Sequence, residues 1–412
     1  MIDSIRLEKY AKLAIKKGVN LQQGQTLLIN ASVDAVDLTR ACVKEAYLQG
    51  ARKVLVFYND DINLRADYEY QSLEALLDIH SWQIDCKLDY FKEGGCILHI
   101  ASTTPGVLKG IDADKISQYR FAMANANKEA QEYTMNNKAQ WCIVAVPNPA
   151  WAKLVFPELD EVSAMDALWE QILSCVHVRH DNDPLAEWDM LNESFVKRVT
   201  LLNEFDFDVL HFQNAAGTDL KVQLAKHHIW AGGSENTVIS NVEFQPNMPT
   251  EEIFTMPDRC GVNGKVFASR PLDYNGTLIE NFWLEFKDGK VVNYDAKSGK
   301  EALKSLIEFD EGSCRLGEVA LVPYDSPISQ SQILFYNTLF DENASCHLAL
   351  GNCYASNLQG GLELDDDALK AAGGNISLTH VDFMFGTQDM LVIGIQHDGS
   401  EVVVFENGNF IF

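Results

Sequence analysis

A change of rhythm along the chain constrains its fold more than any other feature. In the first part, short apolar runs alternate with stretches whose apolar residues recur at helical spacing. Residues 25–31, 54–58, 96–101 and 141–146 read as buried strands, and 34–48, 111–118 and 125–133 as helices. Strand, helix, strand in that order predicts a mostly parallel α/β sheet with helices on both faces and right-handed crossovers. At 178–184, Val-Arg-His-Asp-Asn-Asp-Pro, the pattern breaks into polar and turn residues. Beyond it strands dominate, at 208–213, 219–224, 278–286, 290–295, 317–323, 381–385, 391–395 and 401–405, interrupted by a helical pattern at 300–308. Asp288-Gly289 and Asp398-Gly399 are hairpin signals between neighbouring strands. A chain of 412 residues also exceeds one ordinary core. We therefore expect an N-terminal α/β domain over 1–188 and a β-rich α+β domain over 189–412.

Charge and cysteine usage narrow the partners. Lys and Arg total 33 against 59 Asp and Glu, a formal charge of −26. Such a balance repels phosphate backbones and anionic membrane surfaces, which argues against nucleic acid. It is compatible with a cationic substrate such as a peptide with a free α-amino group. No apolar run approaches the ~18–20 residues of a membrane span. The start of the chain reads as an amphipathic polar helix, not a signal peptide. Nine Cys, scattered and without a Cys-x-x-Cys pair, form neither a disulfide framework nor a zinc ribbon and suit a reducing cytoplasm.

Six possible metal ligands lie between Asn247 and Asp382, most of them in short motifs bounded by Gly or Pro. Glu252 ends Asn-Met-Pro-Thr-Glu-Glu, and Glu318 lies in Leu-Gly-Glu-Val-Ala-Leu-Val-Pro. Glu342 and His347 share Asp-Glu-Asn-Ala-Ser-Cys-His-Leu-Ala-Leu-Gly, and His380 and Asp382 share Thr-His-Val-Asp-Phe-Met-Phe-Gly. Two imidazoles and four carboxylates suit a pair of borderline divalent ions such as Zn²⁺, Mn²⁺ or Co²⁺, which together activate water for hydrolysis.

Each piece also has a plainer reading. On a strand, His380, Asp382 and Met384 share one face and Val381, Phe383 and Phe385 the other. The first pair is then either hydrogen-bonded to itself or aimed at a metal. Glu318 sits in an apolar run, where a carboxylate is costly unless paired, hydrogen-bonded or metal-bound. Glu251 and Glu252 fit an exposed helix start, where the dipole favours acidic residues. Glu342 and His347 are five apart, so they do not share a face of one regular helix. Cys346 reads as a bystander, and His177, His180, His227 and His228 as surface or structural residues. The chain has no Gly-x-Ser-x-Gly elbow, Walker loop, dinucleotide fingerprint or His-Glu-x-x-His helix, which weakens serine hydrolases, nucleotide enzymes and single-zinc proteases.

Taken in order, these motifs resemble the dinuclear metalloaminopeptidases of the aminopeptidase T, aminopeptidase S and aminopeptidase II type. Gly-Thr-Asp-Leu at 217–220 and Ala-Tyr-Leu-Gln-Gly-Ala-Arg-Lys-Val at 46–54 add to the match, which spans nearly the whole chain. The resemblance implies a ligand role for Glu252, Glu318, Glu342, His347, His380 and Asp382, with Glu318 bridging two ions. It implies Tyr354 as a catalytic side chain and a homodimer as the assembly. On the chemistry alone, a carboxylate beside the ligands moves the proton, and Glu251 is the candidate. The Tyr354 hydroxyl would donate to the tetrahedral oxyanion. The expected activity is release of N-terminal residues from peptides. The alternatives are a dinuclear hydrolase of another amide or ester, and a metal-free binding protein of the same fold.

Overall fold

The computed structural model describes residues 2–274 and 277–412. They form two compact units. The first comprises residues up to Asn192 together with Ser234–Pro249, and the second Glu193–Gly233 together with Thr250–Phe412.

The first unit is built on a four-stranded, wholly parallel sheet. Its strand order is Lys53–Asn59, Thr26–Ser32, Cys96–Ala101, Trp141–Ala145. Leu27, Leu28 and Ile29 are fully buried in succession, as expected of a parallel strand covered on both faces. Capping fixes where the helices begin. Asp3 accepts the N–H groups of Ile5 and Arg6 at the start of Ser4–Leu13. Asn148 accepts that of Trp151, with Pro149 at the first helical position. The helical patterns at 111–118 and 125–133 belong to one helix, Ala113–Met135, because 119–124 contains neither Gly nor Pro to end it.

The position between 188 and 189, where the sequence suggests a boundary, lies inside the 22-residue helix Pro184–Phe205. Pro184 starts this helix, so the polar stretch before it is an entry loop. The segment 234–249 returns to the first unit. There the Ile143 N–H donates to the Pro246 carbonyl at 2.8 Å, and the Met248 N–H to the Ile143 carbonyl at 3.0 Å.

The second unit is strand-rich. One sheet of nine strands includes Phe207–Gln213, Asp219–Leu224, Pro257–Phe267, Thr277–Lys287, Lys290–Ser298, Leu391–Gln396 and Glu401–Glu406, all paired antiparallel. Asp288 and Gly289 take φ of 49° and 77°, the left-handed pair that a two-residue hairpin requires. The other sheet carries four of the six candidate ligands. Its antiparallel order is His380–Met384, His347–Gly351, Leu316–Leu321, Ile253–Thr255, Ala231–Gly232. Among the described residues, no helix is long and apolar enough to cross a membrane.

Candidate metal centre

Strand register gathers four of the six candidate ligands on one face. Ala349 lies opposite both Glu318 and Asp382, Gly351 opposite His380, and His347 opposite Ala320 and Met384. Residues directly opposite in an antiparallel pair share a face, and so do alternate residues along a strand. One face therefore presents Glu318, His347, His380 and Asp382, with Ala320, Ala349 and Gly351 as a floor between them. Small side chains there leave room for the longer ones to converge.

They converge as two linked triads. Ligand atoms of Glu252, Glu318 and His347 lie within 4.8 Å of one another, and so do those of Glu318, His380 and Asp382. His347 Nε2 is 2.9 Å from Glu252 Oε2 and 3.4 Å from Glu318 Oε1. His380 Nε2 is 3.5 Å from Glu318 Oε2 and 3.4 Å from Asp382 Oδ1. Each oxygen of Glu318 thus faces a different imidazole. Glu342 belongs to neither triad but stands beside both. Burial pushes its carboxyl well above the usual range, and the charges of Glu252 and Asp382 push it further.

Backbone carbonyls fix both imidazoles. Nδ1 of His347 donates to the Ser345 carbonyl at 3.2 Å, and Nδ1 of His380 to the Asn352 carbonyl at 2.7 Å. A carbonyl only accepts, so Nδ1 carries a proton, and Nε2 is the ring atom turned toward the carboxylates. Burial disfavours a charged His380, but Asp382 and Glu318 outweigh it and take the ring to about 9. Burial pushes the Glu318 carboxyl up to about 7, with His347 opposing.

These residues fit a divalent ion. The donor set is carboxylate oxygen and imidazole nitrogen, the chemistry of Zn²⁺, Mn²⁺ and Co²⁺ sites. Asp382 Oδ1 is buried and has no hydrogen-bond partner among the described residues, its 3.4 Å approach to His380 being a charge contact only. A divalent ion would give this buried oxygen a directed partner that His380 does not supply.

The remaining candidates are placed as follows. Glu251 and Glu252 do not begin a helix; both are buried and lead into Ile253–Thr255. Burial pushes the Glu251 carboxyl to about 8, and the charges acting on it are those of Arg198 and Asp325 rather than the six ligands. The Tyr354 ring lies 4.9 Å from that of His380 and 5.8 Å from that of Phe254. Cys346 is a buried thiol near the Val322 carbonyl. His228 donates Nδ1 to the Ala225 carbonyl, and His177 sits 3.8 Å from Glu187. Sequence reasoning missed Asn343, Ser345 and Asn352, which hold the candidate ligands and carry no charge to draw attention.

Gly317 aims Glu318. The pairing with His347–Gly351 shifts register between Leu316 and Glu318, which makes Gly317 the extra residue of a bulge. A Cβ there would collide with the carbonyls of Asn352 and Gly351, and the first of these holds His380. Gly317→Ala is therefore expected to cost about 1–3 kcal/mol of stability by overpacking and to lower the metal bound per chain. Thermal melting and elemental analysis check both, and an unchanged metal content would remove Gly317 from the support of the site.

A family model for thermophilic metalloproteases (M29) matches residues 3–410. Aminopeptidase AmpS of Bacillus subtilis (strain 168) is 45% identical over 410 residues, 99% of each chain. Aminopeptidase 2 of Geobacillus stearothermophilus is 41% identical over 406 residues, 98% of each. The solved structure of wild-type AmpT from Thermus thermophilus matches with a TM-score of 0.92 at 39% identity, covering 99% of each chain. With the whole chain matched and the carboxylates and imidazoles gathered on one sheet face, this protein belongs to the thermophilic metalloprotease family, M29.

Proposed function

We propose that this chain uses two divalent ions, held by Glu252, Glu318, Glu342, His347, His380 and Asp382, to release single residues from the amino end of peptides. It is a metal-dependent aminopeptidase, supported by the family match and by curated aminopeptidases 39–45% identical over 98–99% of the chain. The observation that carries the two-ion reading is Glu318, common to both triads. With the imidazoles neutral and all four carboxylates ionised, two divalent ions would balance the charge. Zn²⁺, Co²⁺ and Mn²⁺ suit the donors.

Ions held there supply Lewis acidity toward the scissile carbonyl and the attacking water. The chain supplies the rest. In this reading Glu251 takes the water's proton and passes it to the leaving amine. The Tyr354 hydroxyl donates to the oxyanion as it develops. His347 and His380 stay oriented because their Nδ1 protons are committed to carbonyls. The two units serve as an α/β domain and a β-rich catalytic domain. All nine cysteines are free thiols, in keeping with a cytoplasmic protein. Homodimer assembly, implied by the resemblance, is checked by mass in solution.

Chelation tests the metal dependence. Sites without thiolates release ions more readily than Cys-rich ones, so excess chelator is expected to abolish hydrolysis of aminoacyl anilides without unfolding the chain. Zn²⁺, Co²⁺ or Mn²⁺ should restore it. Full activity with metal absent by elemental analysis would sink the reading.

A further inference from the structure

We propose that Asn343 is a positioning residue for the metal centre, its single buried amide setting where the Glu251–Glu252 segment and the Glu342 carboxylate stand relative to each other. This rests on the reading of Glu252 and Glu342 as ligands. Asn343 is fully buried in the turn Glu342–Ala344. Its Oδ1 accepts the Glu251 backbone N–H at 2.7 Å, from 92 residues away in sequence. Its Nδ2 donates to the Leu339 carbonyl at 3.0 Å and reaches Glu342 Oε1 at 3.4 Å. The acceptor end of one planar group thus holds one ligand-bearing segment, and the donor end holds the other.

The chemistry of the amide is what the place requires. A carboxylate would offer no N–H to Leu339 or Glu342, and an apolar side chain would leave the Glu251 N–H unpaired in a buried setting. The surrounding turn does not follow a missing side chain, because it is pinned on its own account. The Asn343 carbonyl accepts the Ser326 hydroxyl at 3.3 Å. The Asp341 carboxylate accepts the N–H groups of Phe335 at 2.8 Å and Asn337 at 3.0 Å. The segment at 251–252 is then the part that shifts, carrying Glu252 off His347, which it meets at 2.9 Å. Loss of a group that orients a ligand typically weakens metal affinity or activity about 10–100-fold.

The test compares Asn343→Ala with Asn148→Ala in the full chain, each loaded with Zn²⁺ or Mn²⁺. Asn148 is an equally buried asparagine in the other unit, donating to the Ser102 carbonyl at 2.9 Å and accepting from the Trp151 N–H at 2.8 Å. Both variants are expected to melt lower than wild type. Asn343→Ala alone should yield its ions to a competing chelator about 10–100-fold more readily, with the loss in turnover falling on kcat more than on KM. Where the alanine variant does not fold, Asn343→Ser is expected to give the same split. A folded Asn343 variant with wild-type ion retention and kcat overturns the proposal, as does an equal loss in Asn148→Ala. A wild type that holds no ions and cleaves in excess chelator overturns the metal reading itself. That outcome is distinct from an Asn343 variant matching an ion-loaded wild type.

Discussion

Glu318→Gln is expected to fold, to lose its ions and to lose turnover by roughly 10³-fold or more, the several kcal/mol that metal ions supply at about 1.4 kcal/mol per tenfold. The side chain is buried within a strand whose six residues are all buried, and glutamine keeps its shape. Each imidazole also keeps a second carboxylate, Glu252 for His347 and Asp382 for His380. The change therefore removes charge without opening a cavity. Burial already pushes the Glu318 carboxyl upward, so in chelator the variant should melt close to wild type. With ions present the two should diverge, since only wild type gains the stability of binding. A Glu318→Gln protein that keeps both ions and rate would remove Glu318 from the centre. Glu251→Gln serves as the contrasting arm, keeping both ions while losing about 10²–10⁴-fold in rate for a lost proton carrier. An unchanged rate would leave Glu251 as a charge neighbour of Arg198 and nothing more.

A peptide with an acetylated amino end is expected to be essentially inert, while its free counterpart is shortened one residue at a time. The proposed centre is rich in carboxylates, which favour a cationic amine and offer an acetyl group nothing in exchange. If the amine anchors the substrate, blocking it leaves the scissile carbonyl unoriented, and orientation is worth many powers of ten. The acidic surface adds little, because salt screens exposed charges within about 10 Å at 0.1 M. Leu-peptide and acetyl-Leu-peptide at equal concentration, with products identified by mass, make the measurement. Comparable cleavage of the blocked peptide, or internal fragments before single residues, would indicate an endopeptidase or a general amidase.

Among the candidate ligands Glu318 was the most legible, because it interrupts the apolar run Leu-Gly-Glu-Val-Ala-Leu-Val-Pro. The parallel sheet was legible because its strands are apolar and evenly separated by helices. Other parts lack such a signal. His347–Gly351 is buried along its whole length and shows no alternation. Pro257–Phe267 carries Asp, Arg, Asn and two Gly in a strand of 11 residues, which reads as loop. Pro-Thr-Glu-Glu looks like a helix start, and long-range burial overrides it. The return of 234–249 to the first unit depends on backbone bonds to Ile143, which no local pattern encodes. Asn343 is invisible for a related reason: the group it holds lies 92 residues away.

On the proposed two-ion reading, the sharing of Glu318 between two triads has a thermodynamic consequence. Two cations that draw on one carboxylate cannot load as independent events, because the first to arrive neutralises charge that the second would have used. Linkage makes that penalty the same whichever triad fills first. Loading should therefore resolve into a tighter and a weaker step, and the free ion concentration around the protein would set whether it works with one cation or with two.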